Sequence, residues 1–133
     1  VIKIKIKTER SGAIVVILDK AGRTLILKRP QWIHWGASQW AFPGGKLEGA
    51  ETAEEAATRE TYEETALVVK DLKQFDIGQD LPVMSYYTRE YEGKVKIDWE
   101  HDDWAWVSRD EIESYDLAPQ VLEMYDWVLT HGD

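Results

Sequence analysis

Three glutamates, Glu60, Glu63 and Glu64, stand at i, i+3 and i+4 within residues 52–65, a stretch without glycine or proline that carries Ala53, Ala56, Ala57 and Ala66 on or beside it. Its composition predicts a helix with Glu51, Glu54 and Glu55 near the favourable N-terminal end. On a 3.6-residue helix, Ala53, Ala56, Ala57, Glu60, Glu63, Glu64 and Leu67 fall within roughly 120° of arc. The stripe that should face a core therefore turns acidic halfway along. Neighbouring carboxylates repel, and the C-terminal end of a helix dipole disfavours negative charge, so stability alone does not select this pattern. A divalent cation accounts for these costs together, because hard oxygen ligands converging from one face are what Mg²⁺ or Mn²⁺ takes, with substrate phosphates and waters completing the shell. The plainer alternative is a solvated acidic face.

Other residues of similar promise flank this helix. Arg59 has Glu55 and Glu63 four positions to either side, spaced for ion pairs that would fix a glutamate rotamer. Pro43-Gly44-Gly45-Lys46 offers a loop whose backbone can come close to a ligand. Lys28 and Arg29 end an apolar run and could meet phosphate groups, or serve as structural cations. Trp32, Trp35, Tyr86, Tyr87 and Trp104 are candidates to stack on a base, with core packing as the alternative for each. Asp98-Trp99-Glu100-His101-Asp102-Asp103 forms a second acidic cluster, which departs from a calcium loop in having Asp103 where that motif requires glycine.

The elements that must position these residues are legible in outline. Residues 1–7 alternate isoleucine and lysine, the period-2 pattern of a half-exposed strand whose lysines guard an edge. Residues 13–18 and 23–28 are rich in branched side chains and flank Asp19-Lys20-Ala21-Gly22, which predicts a hairpin of two buried strands. Residues 29–45 read as a loop, with one short strand around 40–42. Further strands are expected at 67–70, 83–91, 95–99 and 104–107, with Glu92-Gly93 as a tight turn joining the second and third. Ser108 and Glu111 match a capping box, and Pro119 suits the first turn of a last helix running to about residue 130. Strands on both sides of a central helix indicate a mixed α/β or α+β sandwich with helices covering the sheet.

Composition excludes several classes. The 133 residues suit one domain, and no apolar run is long enough for a membrane span. The start lacks a charged-then-apolar leader, and Val1 in place of Met suggests trimming, so the cytoplasm is the expected address. The absence of cysteine removes disulfides, Cys-ligated zinc, iron–sulfur clusters and thiol nucleophiles. A net charge of −9 argues against binding long nucleic acid, and handling of anions by so acidic a chain would need a cation. G-x-S-x-G, H-E-x-x-H and the P-loop are missing, and His34, His101 and His131 lack metal-ligand spacing.

Taken together, Gly45, Glu51, Arg59, Glu60, Glu63 and Glu64 lie in the register G-x5-E-x7-R-E-U-x-E-E-x-G-U, so residues 45–67 resemble the Nudix box. The preceding Trp40-Ala41-Phe42-Pro43-Gly44 is also similar to this family. Thr61 and Ala66 depart from the pattern, standing where it has an aliphatic residue and a glycine; Ala66 would cost about 1–2 kcal/mol if its φ is positive. The resemblance implies a single domain over 1–133 with the Nudix α/β/α sandwich, a mixed sheet between helices. It implies that Glu60, Glu63 and Glu64, with the Gly44 carbonyl, hold Mg²⁺ or Mn²⁺, that Arg59 and Glu51 orient the ligands, and that Gly45 supports the site. The implied reaction is metal-dependent hydrolysis of a nucleoside diphosphate linked to another moiety, with Glu60 or Glu100 as the base and Glu100 also a possible further ligand. The segment from Tyr86 through Glu100 to Val107 is similar to diadenosine-polyphosphate hydrolases of the family, whereas Phe42-Pro43-Gly44-Gly45-Lys46 is closer to members that sanitise nucleoside triphosphates. The implied partner is a small nucleotide, (d)NTP or dinucleoside polyphosphate, bound by a monomer or homodimer away from membranes. A catalytically silent nucleotide-binding or sensor protein is the alternative; the isomerase branch of the fold would need a cysteine.

Overall fold

In a computed structural model, residues 10–32 and 36–133 are described. The expected strand at 1–7 lies outside the described residues. Apolar runs without alternation give strands buried on both faces, and the longest of these set up the centre of the molecule. Strand β1 (Gly12–Ile17) pairs antiparallel with β4 (Gly44–Lys46) on one edge and parallel with β7 (Val83–Thr88) on the other; β6 (Lys73–Phe75) joins β7 antiparallel. A second, antiparallel sheet has β2 (Thr24–Lys28) between β3 (Trp40–Ala41) and β9 (Asp103–Val107). A short ribbon pairs β5 (Val68–Lys70) with β8 (Glu90–Glu92).

Because β1 side chains alternate, Ala13, Val15 and Ile17 go to one apolar cluster and Val16 to the other. The first cluster includes Ala56 and Ala57 of helix α1 (Ala53–Thr65), whose small side chains allow close approach to the sheet. The second includes Val121, Met124, Tyr125 and Val128 of helix α3 (Val121–His131). A short helix α2 (Arg109–Ile112) buries Ile112 in that same cluster. The result is the expected α/β class, with helices on opposite sides of a mixed sheet.

Several expectations are corrected. The two runs at 13–18 and 23–28 are joined by a tight turn but do not form a ladder: a single bridge between Leu18 and Thr24 precedes their divergence into different sheets. Strands apolar on both faces carry no pattern that selects a neighbour, so adjacency in sequence was misleading. The run 83–91 breaks at Arg89, where the Thr88 hydroxyl donates to the Lys70 carbonyl and accepts from Glu90 N–H at 3.0 Å, which turns β8 away to pair with β5. The hairpin expected at Glu92-Gly93 does not form, because residues 95–98 follow the C-terminal end of α1 instead. Lys96 and Asp98 N–H groups donate to the Thr65 and Glu64 carbonyls at 2.9 and 3.3 Å, satisfying acceptors that a helix end leaves open. Strand β6 was not anticipated. Pro119 lies just before the Gln120 cap of α3 rather than inside its first turn, and the capping box at Ser108 and Glu111 is present.

Candidate active site

Helix α1 starts at Thr52, whose hydroxyl accepts from Glu55 N–H at 3.1 Å while Glu55 accepts from Thr52 N–H at 3.0 Å. Glu55 is thus committed to the cap, and Arg59 does not pair with it as the helical spacing suggested. Arg59 reaches back to the loop instead. Its guanidinium forks onto Glu51 at 2.7 and 2.9 Å, donates to the Lys46 carbonyl at 3.0 Å, and donates to Glu60 and Glu63 at 2.9 and 3.2 Å. A planar fork with five donors suits this many acceptors in one plane, which lysine could not supply. The Arg59 hydrogen bond, aided by Glu48 N–H, holds the Glu51 carboxyl down at about 2. Loop 46–51 and helix α1 are thereby latched together beside Glu60.

Gly44 and Gly45 bring the strand edge close to this latch. A Cβ on Gly44 would overlap the Ala13 carbonyl oxygen, and one on Gly45 would fall within 2.8 Å of both Glu60 carboxylate oxygens. The Gly44 N–H donates to Glu64 at 2.8 Å. Glu64 is otherwise buried, 6% exposed. Burial pushes its carboxyl up to about 9, with Glu60, Asp98 and Glu100 adding to the shift and the Gly44 N–H opposing it. Burial likewise raises Glu60, against the pull of Arg59. His101, which sequence reasoning dismissed, stands beside Glu64: its Nδ1 is 2.8 Å from Asp98 and its Nε2 is 3.8 Å from Glu64. Its position three residues after Asp98, inside the acidic cluster, was the available signal.

These groups line one cavity of about 520 Å³, which brings together Glu60, Glu64, Glu100, His101, Gly44, Gly45, Arg29, Lys46 and Trp32. Glu63 is not in its wall; it is exposed and turned to Arg59. Among the described residues no three carboxylate or imidazole groups converge on one point as placed. Helical spacing put three carboxylates on one face, but Arg59 draws Glu60 and Glu63 and the Gly44 N–H draws Glu64, so side-chain partners decide where they point. The donor set is nonetheless chemically suited to Mg²⁺ or Mn²⁺: hard oxygens, a buried carboxyl with a single N–H donor on it, and room left by Gly45.

A second cavity of about 550 Å³ shares Arg29, Ala41, Phe42, Gly44, Gly45 and Lys46 with the first and is lined elsewhere mostly by apolar side chains, among them Ile14, Leu81, Val83, Val121 and Met124. Of the stacking candidates, Trp32 borders the acidic cavity. Tyr86 and Tyr87 are core residues: Tyr86 packs in the α1 cluster, and Tyr87 meets Phe75 and Trp127 at 5.9 and 6.2 Å between ring centroids. Across β2 and β9, Lys28 pairs with Asp103 and Trp104 with Leu27, and neither Lys28 nor Trp104 lines either cavity. Trp35 lies outside the described residues. No helix among the described residues is long and apolar enough to cross a membrane.

Comparison with known proteins identifies the family. Residues 8–128 match the NUDIX domain. A 68-residue stretch, 50% of this chain and 60% of the relative, is 43% identical to an 8-oxo-dGTP diphosphatase of Proteus vulgaris, so the match spans less than two-thirds of that relative. The CTP pyrophosphohydrolase of Escherichia coli K12 is 27% identical over 119 residues, covering 85% of this chain and 87% of the relative. The MutT NUDIX hydrolase of Burkholderia pseudomallei superposes with a TM-score of 0.77 over 92% of this chain and 99% of its own, at 23% identity. With the domain match spanning most of the sequence, the chain belongs to the Nudix hydrolase family.

Proposed function

We propose that this protein is a divalent-metal-dependent pyrophosphohydrolase of a small nucleotide, a (d)NTP or a dinucleoside polyphosphate, using Mg²⁺ or Mn²⁺. The observation that carries this reading is the union, in one cavity, of the Glu60, Glu64 and Glu100 carboxylates with Arg29 and Lys46, directly adjoining an apolar cavity of a size for a nucleobase. The names of the Proteus and Escherichia relatives support the same class of substrate.

In this reading Glu60, Glu63, Glu64, Glu100 and the Gly44 carbonyl would hold the cation. When bound there, the cation would supply neutralisation of the charge on the phosphate groups. Arg29 and Lys46 meet the phosphate chain from the wall shared by the two cavities. The base enters the apolar cavity, where Phe42 and Met124 offer contact area. Of the two candidates for taking the proton from water, Glu60 is held by Arg59 at 2.9 Å beside Gly45 in the cavity wall, whereas Glu100 is exposed. The role of base therefore goes to Glu60. Arg59 keeps that carboxylate aimed, and Glu51 keeps Arg59 in place.

The test is product-resolved hydrolysis of dNTPs, oxidised dNTPs, dinucleoside polyphosphates, ADP-ribose and nucleotide sugars with Mg²⁺, Mn²⁺ or EDTA. Metal-dependent turnover is expected, and the preferred compound names the subclass. Tight binding of one nucleotide without turnover of any would favour the silent sensor instead.

A further inference from the structure

Two tryptophans stand at the mouth of the acidic cavity without a core role. Trp32, in the loop after β2, is 66% exposed, and Trp99, in the turn before Glu100, is 78% exposed. Their indoles nevertheless lie parallel, with planes 6° apart and centroids separated by 6.0 Å. Leaving two of the largest apolar side chains in water forfeits hydrophobic stabilisation, and a joined, exposed apolar surface marks a binding site more often than a lone exposed residue does. Both rings line the cavity that holds Glu60, Glu64 and Glu100, and neither borders the apolar cavity assigned above to a base. The wall common to the two cavities carries Arg29 and Lys46. Each of the two cavities joined at the groups that would meet phosphate thus carries an apolar surface of its own.

We infer that Trp32 and Trp99 form a stacking platform for a second nucleobase, so that the preferred substrate is a dinucleoside polyphosphate. One base occupies the apolar cavity, the polyphosphate runs past Arg29, Lys46 and the carboxylates, and the other base extends the tryptophan stack. The inference rests on the pyrophosphohydrolase reading and narrows its substrate. A single pair of rings accommodates one terminal base. Proteins that hold a strand interleave successive aromatics with a basic groove, and the net charge of −9 opposes a strand.

The experiment compares kcat/KM for diadenosine and diguanosine tetraphosphate, ATP, GTP and a 5′-triphosphorylated tetranucleotide in the wild type and in W32A, W99A and W99F. Alanine in place of a stacking partner costs about 5- to 150-fold. We expect a loss of that size for a dinucleoside tetraphosphate in W32A and W99A, carried in KM, with the mononucleotides altered by less than about 2-fold and most of the loss restored in W99F. Quenching of tryptophan fluorescence in EDTA gives a readout independent of turnover: the dinucleotide should quench more than the mononucleotide, and W32A should reduce the difference. Equal losses for mono- and dinucleotides, or no loss for either, would overturn the platform. A loss confined to the tetranucleotide would reassign it to an RNA end. If the wild type hydrolyses nothing, the pyrophosphohydrolase reading fails, while the quenching comparison still decides whether the tryptophans hold a base.

Discussion

Replacing Glu64 with glutamine should stabilise the protein in EDTA at alkaline pH while removing its turnover. The buried carboxyl has its pKa pushed up from 4.5 to about 9. Above pH 4.5 the unfolded chain releases this proton, whereas the folded chain keeps it until about pH 9. Between those values the native state binds more protons, so stability is fully present below the unfolded pKa and falls as pH rises through the window. At about 1.4 kcal/mol per pH unit, the shift bounds the loss at roughly 6 kcal/mol; relaxation and water entry around a buried charge reduce this, and we expect on the order of 2–3 kcal/mol. Glutamine is neutral throughout, and its amide oxygen can still accept from Gly44 N–H. Urea denaturation from pH 5 to 9 in EDTA should therefore show a flatter stability curve for E64Q than for the wild type, with the mutant the more stable at pH 8–9. Glu60 also titrates upward through burial, in the same direction, so the difference between the two proteins is the quantity to read. In Mg²⁺ the same variant should lose hydrolysis by orders of magnitude. Parallel stability curves would refute the argument that Glu64 is a carboxyl retained against its own desolvation.

Ala66 caps α1 with φ 63°, the left-handed conformation that alanine adopts at a cost. A66G should raise stability by about 0.5–1 kcal/mol, or roughly 4 °C in Tm by calorimetry, despite the added flexibility of the unfolded chain. Thr61 is fully buried and its hydroxyl has no hydrogen-bond partner. T61V, nearly isosteric, should stabilise by about 1 kcal/mol in chemical denaturation without changing activity. R59A should lower kcat about 10- to 100-fold while the far-UV spectrum is retained, because Glu60 loses the group that aims it; R59K should rescue little, since a point charge cannot hold Glu51, Glu60 and the Lys46 carbonyl at once.

Much of the site was legible because its signals are local. The acidic half of the α1 stripe, the glycine pair and the cap residues each follow from spacing over a few positions. The departures also carried their meaning: Ala66 does have positive φ, and Thr61 does bury a polar group where an apolar one packs. What failed were statements about partners distant in sequence. Tyr86 and Tyr87 alternate on a strand buried on both faces, so both enter the core, one on each side, and neither reaches the cavities. Trp99 shows no sequence pattern different from that of any exposed turn residue, and only its parallel approach to Trp32 marks it out.

By itself the sequence determined the class of fold, the helix that bears the carboxylates and the family to which the chain belongs, since these depend on periodicity and register along one segment. The tertiary structure decided the rest. It split the first two long strands between sheets, sent residues 95–98 to the end of α1, and latched Arg59 to Glu51 instead of Glu55. It also buried Glu64 under Gly44 with His101 alongside. Local propensity sets which element forms, whereas desolvation, ring stacking and the choice of an ion-pair partner depend on atoms brought together from distant parts of the chain.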